Sequence, residues 1–456
     1  MSWAAPPCGR RNSIWFGRRS PISKSAANWS TARSRPRRPR LPASCASRAT
    51  SDPVRTGDGK TRRKRRVFLC IVAAARHGER APRRPAISDF PPLTPLATSL
   101  PMTVPFVGPE TLVRQRGKSF AARIGANESG FGPSPKVIEA VRAAAGELWM
   151  YADPENFALK QAFAAHLGLQ PAQIAVGGGI DGLLGLTVRL FAQAGDAVVT
   201  SLGAYPTFNF HVAGFGARLL TAPYRDDRED LEALAVAAKR ENAAIVYLAN
   251  PDNPMGSWHD AAAVKAFVEA IPARTLVVLD EAYGETAPEG ALPPSTWSRP
   301  NLLRFRTLSK AFGLAGLRVG YVFGPPELVG AYDKVRNHFG MSRIAEPAAL
   351  AALADRDWLD SVIGRIGAAR SRIAGMAARH GLASLPSATN FIAIDCGRDG
   401  AFAKKVLDGL IARDIFVRKP AAPILDRTIR ISVGPEAEMD RLEEAFGPAL
   451  AAARAA

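Results

Sequence analysis

The chain has 456 residues, 47% hydrophobic and 22% charged, enough apolar side chain for two or three domains with buried cores. Its formal net charge of +19 is unevenly placed: residues 1–101 hold 22 Lys and Arg against 4 Asp and Glu, whereas residues 102–456 hold 38 against 37. That split excludes general polyanion binding by the main body, so no nucleic-acid partner is expected there. Cys8, Cys45 and Cys70 lie in the basic stretch, and the body keeps only Cys396, which rules out a disulfide framework and zinc-type Cys/His spacing. The body therefore reads as intracellular and cytoplasmic. The longest apolar run, Val67 to Ala75, is far short of the roughly 20 residues that span a bilayer, so no membrane partner is expected.

Residues 1–101 are rich in Arg, Pro and Ser without a sustained period, and disorder is expected for them. They read as an extension upstream of a chain starting at Met102, ahead of a transit peptide or a basic arm. Beyond Met102, β-branched runs alternate with Ala/Leu-rich helical stretches. Strands are predicted at 197–201, 244–249, 275–279, 302–305 and 319–323, with helices at 231–241 and 261–271 between them. Strands without a polar face imply a sheet covered by helices on both sides, an α/β layered domain. From about Pro347 a long helical region runs to Gly381. A strand (390–395), a helix (401–413) and two strands (415–418, 428–433) follow, the pattern of a smaller α+β domain.

Polar punctuation falls at the strand ends, where open α/β sheets place their ligands. Gly177-Gly-Gly-Ile-Asp181, Asn250-Pro-Asp-Asn-Pro-Met-Gly256, Asp280-Glu-Ala-Tyr283 and Thr307-Leu-Ser-Lys310 come in fixed order. Lys310 opens a run that is otherwise apolar to Leu317, a setting that favours a neutral amine. Asp280 ends an apolar strand, where an unpartnered carboxylate would be costly.

Ser309-Lys-Ala-Phe-Gly-Leu-Ala-Gly-Leu-Arg318, with the four signatures before it, resembles the class I/II aminotransferases of fold type I, and most closely their histidinol-phosphate aminotransferase branch. The resemblance runs from about Asn127 to Gly434. It implies pyridoxal 5′-phosphate as cofactor and a homodimer with active sites shared between subunits. It also implies a large α/β/α domain with a mainly parallel sheet (146–346), joined to a smaller domain built from both chain ends (102–145 and 347–456).

By the same resemblance, Lys310 carries the cofactor's aldehyde, Asp280 faces its pyridine nitrogen, and Tyr283 and Asn253 share its phenolic oxygen. Tyr205 stacks on the ring. Gly179, Ile180 and Asp181, opening a helix, receive the phosphate together with Thr307, Ser309 and Arg318. The pattern departs from the family's at Ile180 and Gly182, which backbone donors tolerate. Tyr151 resembles the tyrosine that reaches the partner subunit's cofactor phosphate. Arg430 and Arg418 resemble arginines that bind the substrate's carboxylate or phosphate, a task suited to the guanidinium fork. The loop from Asn127 to Pro135 resembles the branch's substrate loop. At Phe131 the branch usually has Tyr, and the lost hydroxyl points toward a broader or aromatic donor.

The activity implied is transfer of an amino group from histidinol phosphate or an aromatic amino acid to a 2-oxo acid such as 2-oxoglutarate. Two other functions stay open on these residues: a decarboxylase resembling threonine-phosphate decarboxylase, and a non-enzymatic PLP-sensing regulator with a DNA-binding arm. The second needs a helix-turn-helix, which residues 1–101 lack.

Overall fold

The structure is a computed structural model that describes residues 91–102 and 107–455. The chain divides into two units, Met1–Arg83 and Arg84–Ala456, and the described residues belong to the second. Most of the stretch expected to be disordered therefore lies outside the described residues. Its last part carries one short exposed helix, Pro95–Ser99, begun by Pro and capped by the Thr94 hydroxyl.

A two-residue strand, β1 (Ala122–Arg123), precedes a seven-stranded sheet made of β2 (Ile174–Gly177), β3 (Ala197–Ser201), β4 (Arg218–Ala222), β5 (Ile245–Ala249), β6 (Leu276–Asp280), β7 (Leu302–Thr307) and β8 (Gly320–Phe323). The order is β2-β8-β7-β6-β5-β3-β4. Only β8 runs against its neighbours; the other pairs are parallel. Every residue of β3, β5, β6 and β8 is buried, as expected for a sheet covered on both faces.

Alternation along the strands sorts those residues between two cores. Tyr247, Leu276 and Val278 join Leu184, Val188 and Phe208 from helices Gly179–Phe191 and Pro206–Gly214. Val246, Val277 and Leu279 join Leu234 and Phe267 from helices Leu231–Arg240 and Ala261–Ala270. A fully buried aliphatic side chain contributes roughly 1.5–3 kcal/mol, so this double-sided burial fixes the register of the strand ends that carry the polar signatures.

The smaller domain draws on both chain ends. β9 (Ala383–Ser384), β10 (Phe391–Asp395) and β12 (Thr428–Ser432) form an antiparallel sheet, while β11 (Ile415–Phe416) pairs in parallel with β1. Ala122 and Ile124 share a core with Ile392, Ile431 and Phe446. Where one long helical region was predicted, two helices occur, Ala345–Ala354 and Arg356–Arg379. Asp355 interrupts them: its carboxylate takes the Ser134 hydroxyl and, at 2.7 Å, the Lys136 ammonium. These bonds anchor the start of helix Pro135–Ala144 to the break. Among the described residues no helix is long and apolar enough to cross a membrane.

Candidate active site

The carboxyl ends of β5, β6 and β7 open into a cavity of about 370 Å³ lined by Asp280, Tyr283, Asn253, Thr307, Ser309 and Lys310. The starts of helices Gly179–Phe191 and Pro206–Gly214 close one side with Ile180, Asp181 and Tyr205, and Arg318 lies at the rim. Asp280 is the last residue of β6, and its position alternates with Leu279 so that it faces the same core as Tyr247. Tyr247 Oη donates to Asp280 Oδ2 at 2.7 Å, and Ala282 N–H donates to Oδ1 at 2.9 Å. Both donors are neutral. Burial pushes the Asp280 carboxyl up to about 6, against the pull of those bonds and of Lys310.

Lys310 Nζ donates to Asn127 O at 3.1 Å and stands 5.5 Å from the centre of the Tyr283 ring. Burial lowers its amine to about 8, with the nearby charge of Arg430 pushing the same way. A substantial neutral fraction at neutral to mildly alkaline pH makes this amine a nucleophile and a base.

Asn127 ties the site together from the N-terminal loop. Its φ of 55° is left-handed, which Asn tolerates better than most residues. Its Nδ2 donates to Tyr283 Oη at 3.0 Å, and its Oδ1 accepts from Ser432 Oγ at 2.9 Å. Its carbonyl accepts from Asn390 Nδ2 at 3.1 Å as well as from Lys310. Strands β10 and β12 of the smaller domain are thereby fastened to Lys310. At Gly313 (φ 72°) a Cβ would stand 2.4 Å from Gly132 O, so glycine is what lets the loop pack against the Lys310 turn.

Beside the start of the helix Gly179–Phe191 the cavity wall is built from close backbone. Gly179 (φ 84°) begins the helix after β2, and a Cβ there would meet the Arg318 guanidinium at 2.4 Å. Arg318 donates to Ala315 O at 3.1 Å and to Gly178 O at 3.4 Å, which holds the cation over the helix start. Thr307 Oγ1 donates to Val319 O at 3.0 Å and accepts from Ser309 N–H at 3.1 Å.

A second cavity of about 730 Å³ adjoins the first, sharing Tyr205, Asn253 and Lys310 and adding Asn127, Arg418 and Arg430. Arg430 donates to Asn253 Oδ1, while its buried Nε has no partner among the described residues. Burial lowers the Arg430 guanidinium to about 10, with the Arg418 charge acting in the same direction. Arg418 and Arg430 exchange backbone hydrogen bonds across an isolated bridge, so the two cations come as a pair.

Two residues singled out in the sequence lie elsewhere. Tyr151 is 78% exposed and rests 4.8 Å from the ring of Phe339, outside both cavities. Phe131 also lines neither; its ring lies 4.9 Å from the guanidinium of Arg365, which packs on Trp358 as well. Conversely, Tyr247, Ser432 and Asn390 escaped sequence reasoning. Tyr247 sits inside an apolar strand and reads as core, while Ser432 and Asn390 sit at the ends of strands distant in the chain. Asn250 is buried and donates to His259 O and Ala291 O.

A phosphorylated pyridine aldehyde fits these groups. The amine is partly neutral, a buried carboxyl with only neutral partners is available to a ring nitrogen, and Gly179 keeps the phosphate end free of side chain. Fold and site together thus define a pyridoxal-phosphate enzyme. The family model for aminotransferase class I and II matches residues 123–446. Histidinol-phosphate aminotransferase 2 of Pseudomonas aeruginosa is 36% identical over 377 residues, which span 80% of this chain and all of that protein. The histidinol-phosphate aminotransferase of an Anaeromyxobacter species is 35% identical over 368 residues, with the same coverage. A solved histidinol-phosphate aminotransferase from Sinorhizobium meliloti, in complex with pyridoxal-5′-phosphate, is 59% identical with a TM-score of 0.77, covering 80% of this chain and 99% of that one. A Thermus thermophilus aspartate aminotransferase at 20% identity shares the fold, with a TM-score of 0.66. The chain belongs to the class I and II aminotransferases. It is a pyridoxal-phosphate-dependent aminotransferase of fold type I, acting on a small amino donor and a 2-oxo acid.

Proposed function

We propose that the amino donor is histidinol phosphate, with 2-oxoglutarate as acceptor, and that the enzyme serves amino-acid biosynthesis in the cytoplasm. The observation that carries this reading is the Arg418–Arg430 pair lining the second cavity beside Lys310, a double cation suited to a phosphate dianion. The histidinol-phosphate aminotransferases of Pseudomonas, Anaeromyxobacter and Sinorhizobium that this chain resembles point the same way. Phe131 lies beside Arg365 of its own chain and outside both cavities, so this reading gives its missing hydroxyl little weight.

Pyridoxal phosphate, when bound, supplies an electron sink for the pair left behind when the donor's Cα–H bond breaks. Lys310 would hold the cofactor covalently and, once displaced by the donor amine, take the Cα proton on Nζ. Its lowered pKa suits both roles. Asp280 would hold the ring-nitrogen proton, with Tyr247 orienting its carboxylate. Tyr283 and Asn253 would bond the phenolic oxygen, and Tyr205 would stack on the ring. Phosphate would lie on the N–H groups of Gly179, Ile180 and Asp181 with Thr307, Ser309 and Arg318. Arg430 and Arg418 would hold the donor's anion, and Asn127 and the loop through Phe131 would close the substrate side.

The active form in this reading is a homodimer. Leu148, Trp149, Tyr151, Phe157 and Phe339 are 52–82% exposed, an apolar surface that a second copy would cover. Tyr151 on that surface would then reach the partner's phosphate site. The direct test of donor choice is a half-reaction screen. Cofactor-loaded protein is mixed singly with histidinol phosphate, phenylalanine, tyrosine or glutamate while the cofactor's visible absorbance is followed. Fastest loss with histidinol phosphate is the result expected; faster loss with phenylalanine or tyrosine would replace the proposed donor.

A further inference from the structure

Asn209 lies in the helix Pro206–Gly214, one turn after Tyr205, which immediately precedes that helix. Positions four apart share a helix face. Accordingly both residues line the second cavity, as do Arg418 and Arg430. Its neighbours go elsewhere: Phe208 is fully buried and stacks 4.5 Å from Tyr247, whereas Phe210 is 47% exposed. Asn is a poor helix former because its side chain competes for backbone hydrogen bonds. Here the carboxamide does not make such a bond: Oδ1 is buried with no partner among the described residues. An unpaired buried acceptor is unfavourable, and its persistence on a cavity wall calls for a donor supplied from outside the chain.

We infer that Asn209 is a specificity-determining residue. Its Oδ1 accepts a hydrogen bond from the N–H of a heteroaromatic ring on the amino donor, while the donor's anionic end is held by Arg418 and Arg430 across the cavity. A carbon-only ring leaves the oxygen unpaired and is disfavoured by the same bond. The inference rests on the donor reading above and adds to it the group that recognises the ring.

The test compares two donors that differ only in the ring, histidinol phosphate and phenylalaninol phosphate, with cofactor-loaded protein. In Asn209→Leu, similar in size but without hydrogen-bonding capacity, kcat/KM for the imidazole donor should fall about tenfold. The loss should come through KM, with the phenyl donor unchanged or better. Asn209→Asp, which keeps an acceptor oxygen, should retain the preference for imidazole. Cofactor absorbance and melting temperature of each variant report that the fold and the cofactor site are intact. An unaltered donor ratio in Asn209→Leu, or parallel loss for both donors, would overturn the role of Asn209 alone. An unmodified chain that turns over neither phosphate would overturn the donor reading and this inference with it.

Discussion

The floor of the site and its mouth are built in opposite ways. The floor, Asp280, Thr307, Ser309 and Lys310, comes from the ends of two adjacent strands and the turn beyond, within a sheet whose cores lock it from both sides. The mouth is assembled from pieces distant in the chain: Asn127 from the N-terminal loop, Asn209 from a helix beside the sheet, and Arg418 and Arg430 from the smaller domain. In the proposed reading, chemistry that every substrate needs rests on the floor. Recognition of one substrate, in the reading proposed above, rests on the part assembled from segments distant in the chain.

If that division is right, floor substitutions should lower kcat for all donors and mouth substitutions should change donor choice. The largest effect is expected for Lys310→Ala, a loss of more than about 10⁴-fold in turnover for every donor, measured in single-turnover reactions. Asp280→Asn should come next, on the order of 10²–10³-fold, again irrespective of donor. Asp280 also has a stability signature in the cofactor-free chain. Its folded pKa is raised to about 6 from the usual carboxylate value near 4, so the group favours folding at low pH and that contribution is lost as pH rises through about 6. Asp280→Asn should therefore raise the melting temperature of the cofactor-free protein at pH 8 relative to pH 4, if its new amide keeps the Tyr247 bond.

A smaller, mouth-specific effect is expected for Arg430→Gln. KM for a phosphate-bearing donor should rise about 10–100-fold, with less change for a neutral side chain. The same substitution removes a like charge near Lys310, so the cofactor-free amine should titrate above its present value of about 8, readable as a shifted pH dependence of its modification by an amine-selective reagent. Smallest is Tyr247→Phe, about three- to tenfold in kcat. It removes one neutral hydrogen bond to Asp280 and leaves donor preference intact. A Tyr247→Phe variant that changed donor choice would erase the distinction between floor and mouth.

The same division explains what could be read in the sequence. Asp280 and Lys310 stand out because a strand end places a polar residue against an apolar run, a contrast visible along the chain. The sheet was legible for the same reason. Tyr247 was not, since a tyrosine inside Ile-Val-Tyr-Leu-Ala looks like core until the register sets it beside Asp280. The Asn127 knot was only half legible: its loop is distinctive, but Ser432 and Asn390 reach it from more than 260 residues away. Phe131 and Tyr151 lie outside both cavities of the single chain, the first beside Arg365 and the second on an exposed face, where only a second copy could bring it to a site. The break at Asp355 was hidden because apolar residues at helical spacing continue on both sides, Ala348, Ala349 and Ala352 before it and Leu359, Val362 and Ile366 after, and only Ser134 and Lys136 supply the reason to stop.

The most direct measurement is chemical. Reducing the cofactor-loaded protein with borohydride, digesting it and mapping the phosphopyridoxyl label should place the label on the peptide containing Lys310. A label on any other lysine, or none in protein reconstituted with the cofactor, would contradict the assignment on which the site is built.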